Sequence, residues 1–143
     1  MFLVEKLQRL GDELAVFDDP QERLSHLVDR AKRVPSLAPA ERVDANRVPG
    51  CVSVVWLIAE SRDGRGSFRG DAESPVVRAL VIFLCEFFNG APLAEIAAAS
   101  VEPLDALDLT RHLSPTRRNG LAAVRSTIVA FARRESCGPR AAS

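Results

Sequence analysis

The chain has 143 residues, its 19 Lys and Arg are balanced by 19 Asp and Glu, and 47% of it is hydrophobic. That length and apolar content suit one compact domain that can build a core without metals or disulfides. The neutral balance argues against nucleic acid, whose binding rests on many phosphate contacts from Lys and Arg, and against an anionic membrane surface.

The opening Met1-Phe2-Leu3-Val4-Glu5-Lys6 brings in charge before any apolar stretch long enough for a signal peptide. Val4, Leu7, Leu10 and Leu14 then recur at helical spacing, and Asp18-Asp19-Pro20 interrupts them. Asp19 can cap a second helix with Pro20 in its first position, and Leu24, Leu27, Val28 and Ala31 give that helix one apolar face. Val34-Pro35 ends it. Residues 35–50 are Pro-containing, polar and weakly periodic, which predicts an irregular segment with at most one short turn of helix.

At Val52 the character changes. Val52 to Ala59 is a run of Val, Trp, Leu and Ile broken only by Ser53, and its length and β-branched content predict a strand covered on both faces. Residues 62–66, with Asp63-Gly64 at their centre, predict a turn, and Ser67 to Gly70 a shorter antiparallel strand. Trp56 and Phe68 are expected in the core. Ser74-Pro75 marks the start of a helix from Val76 to Phe88 that is apolar around most of its circumference and therefore central, and Asn89-Gly90 stops it. A short helix over Pro92 to Ala99 and a turn around Glu102-Pro103 follow. Ser114-Pro115 opens the last helix, with Leu121, Val124, Ile128 and Phe131 on one face. The pattern is α+β, a small antiparallel sheet packed against several helices. A single domain is expected over 1–134, with 135–143 as a frayed tail. The longest apolar run, Ala79 to Cys85, is far too short to span a membrane.

Three cysteines do not make a disulfide framework, so a cytoplasmic protein with reduced thiols is expected. Cys85 sits within the most apolar helix and should be buried and inert. Cys137 lies in the Gly/Pro tail, where nothing positions it for chemistry. Cys51 follows Pro49-Gly50 where an irregular segment enters a strand, a loop-tip position that a second protein can reach. From spacing alone, a reactive thiol and a packed cysteine are equally good readings of Cys51. Metal sites draw on ligand pairs a few residues apart, and these cysteines are tens of residues apart, so no metal site is expected. A Cys-His enzyme would pair Cys51 with His112, oriented by Asp105 or Asp108, because His26 falls on the polar side of its helix. That reading needs a convergence that sequence does not display.

Three blocks in order alter the balance. Val48-Pro49-Gly50-Cys51-Val52-Ser53-Val54-Val55-Trp56 resembles the GCxSxVW signature of SufE-like sulfur acceptors. Phe68-Arg69-Gly70-Asp71-Ala72-Glu73-Ser74 resembles the acidic segment of that family, and residues 109–121, Leu-Thr-Arg-His-Leu-Ser-Pro-Thr-Arg-Arg-Asn-Gly-Leu, resemble its LxxHL(S/T)P(S/T)RxxGL block. The chain departs from the usual pattern at Val52, Val54, Ala72 and Glu73, changes that spare the thiol and bear on partner preference.

The resemblance to the SufE family implies a SufE/IscU-like fold and a sulfur relay. A pyridoxal-phosphate cysteine desulfurase would hand persulfide sulfur to Cys51, which would deliver it to an iron–sulfur scaffold complex, with no cofactor of its own. On this reading the chain activates a desulfurase rather than acting as a free-standing enzyme. The alternatives are an IscU-like cluster scaffold and a non-catalytic desulfurase-binding module. Arg117 would meet a carboxylate on the partner or stabilise a sulfur anion. His112 would fill a polar core position or orient the loop. Asp71 and Glu73 would cap the central helix or control the loop that carries Cys51. Pairing of the chain with itself as a homodimer stays open.

Overall fold

The computed structural model describes residues 1–50, 54–111 and 113–136. Helix α1 spans Phe2–Leu14 and buries Leu3, Leu10 and Leu14. The buried face therefore starts one residue earlier than the spacing suggested, and Val4 is 63% exposed. Over two turns a 3.6-residue period accommodates either neighbour, and docking decides between them. That docking is pinned by Glu95, whose carboxylate accepts from the backbone N–H groups of Phe2 at 3.3 Å and Leu3 at 2.6 Å. Two of the orphan donors at the helix start are thereby satisfied from another element.

Helix α2, Pro20–Ala31, starts as the sequence predicts, with the Asp19 side chain accepting from the Gln21 N–H at 3.1 Å. Leu24, Leu27 and Ala31 are buried. His26 is not solvated but half-buried, its ring 4.8 Å from that of Phe17. The following segment holds two 3-10 turns, Pro39–Glu41 and Asp44–Asn46, one more than expected.

Strands β1, Val55–Arg62, and β2, Arg65–Ala72, form an antiparallel hairpin. Asp63 and Gly64 make its two-residue turn with φ +53° and +77°, the pair of positive angles that matches the right-handed twist of the strands. Because the turn needs only these two residues, Arg62 pairs with Arg65: β1 ends three residues later than the sequence suggested, and β2 extends beyond Ser67 to Gly70 at both ends. Val55, Leu57, Phe68, Gly70 and Ala72 are buried, and the register pairs Val55 with Ala72 and Leu57 with Gly70. A Cβ on Gly70 would lie 2.5 Å from Cγ1 of Val81, so glycine at this position allows the central helix to lie close on the hairpin.

That helix, α3, spans Pro75–Phe88 and is capped by Ser74, whose hydroxyl accepts from the Val77 N–H. Leu80, Phe83, Phe87 and Phe88 are almost completely buried, each worth about 1.5–3 kcal/mol of apolar transfer. It stops at Asn89 and Gly90, the latter at φ +82°, and the Asn89 side-chain oxygen accepts from the Phe68 N–H at the β2 edge. Two short helices follow, α4 (Leu93–Ala97) and α5 (Pro103–Ala106), the latter where only a turn was expected. Helix α6, Pro115–Ser136, is held at its start by the Ser114 hydroxyl, which accepts from the Arg117 N–H at 3.2 Å. It buries Leu121, Val124 and Ile128 and sets Phe131 edge-on to Phe68 at 5.9 Å. The architecture is α+β, six helices around one two-stranded sheet among the described residues.

Candidate functional site

Cys51, with Val52 and Ser53, lies outside the described residues, and so do His112 and Cys137. Val48 is buried, and its N–H donates to the Val55 carbonyl at 2.9 Å, while Arg47 bridges to Trp56. The six residues 49–54 thus join two residues that are hydrogen-bonded to each other. On the other limb the Val54 carbonyl accepts from the Glu73 N–H at 3.2 Å. Pro49 and Gly50 are exposed. Gly50 has φ +86° and sits beside α6, where a Cβ would be 3.6 Å from that of Ala123. The described residues that flank Cys51 therefore meet at the end of the hairpin, Val54 against Glu73 just before α3 and Gly50 against Ala123 of α6.

Asp71 does not cap α3; that place is taken by Ser74. Asp71 lies in β2, paired in register with Trp56, and its carboxylate is fully buried. Oδ2 accepts from the Leu37 N–H at 3.1 Å and from Arg42 Nη2 at 3.0 Å. Oδ1 accepts from its neighbour, the Ala72 N–H, and from Arg78 Nε, both at 2.8 Å. Burial alone would push this carboxyl up. The two backbone donors and the guanidiniums of Arg78 and Arg42 outweigh that effect and hold it below the ordinary Asp value. Trp56 is only partly buried, because the Arg42 guanidinium, 5.0 Å from the ring centroid, covers it in place of core side chains.

Glu73 is exposed at the loop exit, and Arg117 is exposed in the first turn of α6. Arg117 and the Gly50-facing Ala123 lie six residues apart on that helix, about 9 Å along its axis. Of the two acids that could orient His112, Asp108 pairs with Arg111 at 2.9 Å and Asp105 accepts from the Thr110 hydroxyl at 2.6 Å.

Cys85 is 4% exposed, as the apolar helix predicted, and burial pushes its thiol up to about 12. It lines a cavity of about 490 Å3 with Leu27, Leu37, Gly70 and Ile82, at whose mouth Arg30 pairs with Glu86 at 2.7 Å. A thiol with so high a pKa is protonated at neutral pH and does not act as a nucleophile. Among the described residues no three His, Cys, Asp or Glu side chains group as metal ligands, and no helix is long and apolar enough to cross a membrane.

The sequence did not single out Arg42, Arg78 or Leu37, which supply three of the four donors to Asp71. Their signal was absent from local pattern, since Leu37 and Arg42 reach Asp71 from the segment after α2 and Arg78 reaches it from α3.

The family model described as SufE, Fe-S metabolism associated domain, matches residues 8–132. The chain belongs to the SufE family. Curated SufE relatives match over most of their length. An uncharacterized SufE-like protein of Rhizobium etli is 34% identical over 142 residues, 96% of this chain and 93% of its own. Another from Rhizobium meliloti is 31% identical over 125 residues, 80% of this chain and 86% of its own. A solution structure of a hypothetical protein from Thermus thermophilus superposes with a TM-score of 0.75 at 21% identity, covering 93% of this chain and 97% of that one, a likeness of fold. SufE membership ties the chain to iron–sulfur metabolism.

Proposed function

We propose that this protein is a cytoplasmic sulfur acceptor, which takes persulfide sulfur from a pyridoxal-phosphate cysteine desulfurase onto Cys51 and passes it to an iron–sulfur scaffold. The Cys51 thiolate attacks the outer sulfur of the desulfurase persulfide. The S–S bond of the donor breaks, its cysteine leaves as a thiolate, and a new S–S bond forms on Cys51 without net oxidation. The observation that supports this reading best is the placement of Pro49 and Gly50, which precede Cys51 in the sequence. The chain is tied at Val48–Val55 and Val54–Glu73, and Pro49 and Gly50 face solvent at the end of a rigid hairpin. Family membership supplies the chemistry, and the high pKa of Cys85 removes that thiol from competition.

Arg117, exposed where α6 begins, is suited to meet a carboxylate of the desulfurase. The decisive experiment is intact mass measurement after incubation with a desulfurase and free cysteine. The wild-type chain should gain one sulfur on Cys51, and Cys51→Ser should gain none and fail to raise desulfurase turnover. Equal stimulation by Cys51→Ser would instead identify a binding module. A cluster chromophore after iron and sulfide addition would identify a scaffold.

A further inference from the structure

Residues 34–48 form a strap that enters the Cys51 segment, and within it just two hydrophobic side chains are buried, Leu37 and Val48. Val34 and Val43 are 39% and 41% exposed, and the first part of the strap passes over the 490 Å3 cavity rather than over packed side chains. Apolar contact therefore holds the strap near its two ends. Between them the polar anchors decide its position. Arg69 donates to both oxygens of Glu41, at 3.2 and 2.7 Å, but both partners of this pair are in contact with solvent, which screens it. Arg42 differs. Its Nη2 and Nε both donate to Oδ2 of the fully buried Asp71, at 3.0 and 3.3 Å, and its plane covers the ring of Trp56.

We propose that Arg42 is a positioning residue for the sulfur-accepting thiol. Seated between Asp71 and Trp56, it holds the strap at its midpoint and so supports the Val48–Val55 tie from which the chain runs to Cys51. The functional meaning rests on Cys51 being the acceptor, but the positioning itself is measurable without any desulfurase. The fold tolerates loss of Arg42, because Asp71 keeps Arg78 and the N–H groups of Leu37 and Ala72. Lysine would restore the charge without the planar stack or the paired donors.

The test uses Arg42→Gln, Arg42→Lys and, as an ion-pair control that pairs with Glu86 rather than Asp71, Arg30→Gln. Trp56 is the sole tryptophan, so acrylamide quenching of its fluorescence reports whether the guanidinium covers it. Iodoacetamide labelling of Cys51, followed by peptide mass spectrometry, reports presentation of the thiol. Arg42→Gln should quench more readily and label on the order of fivefold faster, the population change expected when a modest restraint is lost. Arg42→Lys should fall between, and Arg30→Gln should match wild type in both readouts. Unchanged or slower labelling in Arg42→Gln overturns the proposal, as does an equal acceleration in Arg30→Gln, which would mean general loosening. If wild type gains no sulfur from a desulfurase, the acceptor reading fails, while the labelling rates still judge Arg42.

Discussion

Arg78 Nε donates to Asp71 Oδ1 at 2.8 Å, and the remaining nitrogens of the same guanidinium donate to the carbonyls of Ala31 at 2.7 Å and Val34 at 2.8 Å. One side chain of α3 thus ties the end of α2, the start of the strap and the last turn of the hairpin to a single carboxylate. Removing the shared carboxylate leaves the half-buried guanidinium of Arg78 without its counter-charge, a larger loss than the cluster's net worth. Asp71→Asn should therefore lower stability by about 3–5 kcal/mol, read as a shifted urea midpoint with unchanged slope. A loss below about 1 kcal/mol would show that solvent replaces the carboxylate easily.

The same group predicts an acid response. Its carboxyl is held below the ordinary value of 3.8 in the folded chain, so the unfolded chain binds the proton more readily. Its contribution is complete above the unfolded value and is lost as pH falls through the lower, folded one. Wild type should lose stability steeply below about pH 4, and Asp71→Asn should lack that part of the slope in a pH series of urea melts.

Cys85 should be silent towards alkylating reagents. With its thiol pushed up to about 12, roughly one molecule in ten thousand carries the thiolate at pH 8, before access is considered. Native labelling should leave the Cys85 peptide unmodified, and labelling in urea should modify it fully. Ready native modification would mean that the cavity beside it opens widely.

Gly70→Ala should destabilise by about 1–3 kcal/mol, because the added methyl meets Val81 at 2.5 Å and forces α3 away from the hairpin. Thermal melting of this variant measures the closeness of that contact.

Arg117→Glu should leave the melting temperature unchanged, because the side chain is exposed, while weakening desulfurase binding about tenfold, or ~1.4 kcal/mol. Titration calorimetry against the desulfurase checks it, and undiminished affinity would return Arg117 to the ordinary solvated surface.

The elements written into short stretches of sequence were legible. Asp19-Pro20, Ser74-Pro75 and Ser114-Pro115 announced three helix starts because a cap and the N–H that donates to it lie within three residues of each other. Asp63-Gly64 announced the hairpin for the same reason. What escaped was set by distant partners. Asp71 was read as a capping acid beside Ser74, yet its donors include Leu37 and Arg42, 34 and 29 residues upstream. Trp56 was read as core, and a cation from the strap covers it instead. Val4 and Leu3 could not be told apart until the surface receiving α1 was known. Around Cys51, sequence motif and limb geometry inform different questions, the motif its chemistry and the ties at Val48 and Val54 its place.

Glu95 receives the first two N–H groups of α1 from 93 and 92 residues away in the chain. During synthesis, then, the leading helix emerges long before the acid that completes its first turn has been translated. Closing so wide a loop carries an entropic cost that local turns avoid. A segment translated so far ahead of its partner should be among the last to settle, with its apolar stripe uncovered until α4 arrives.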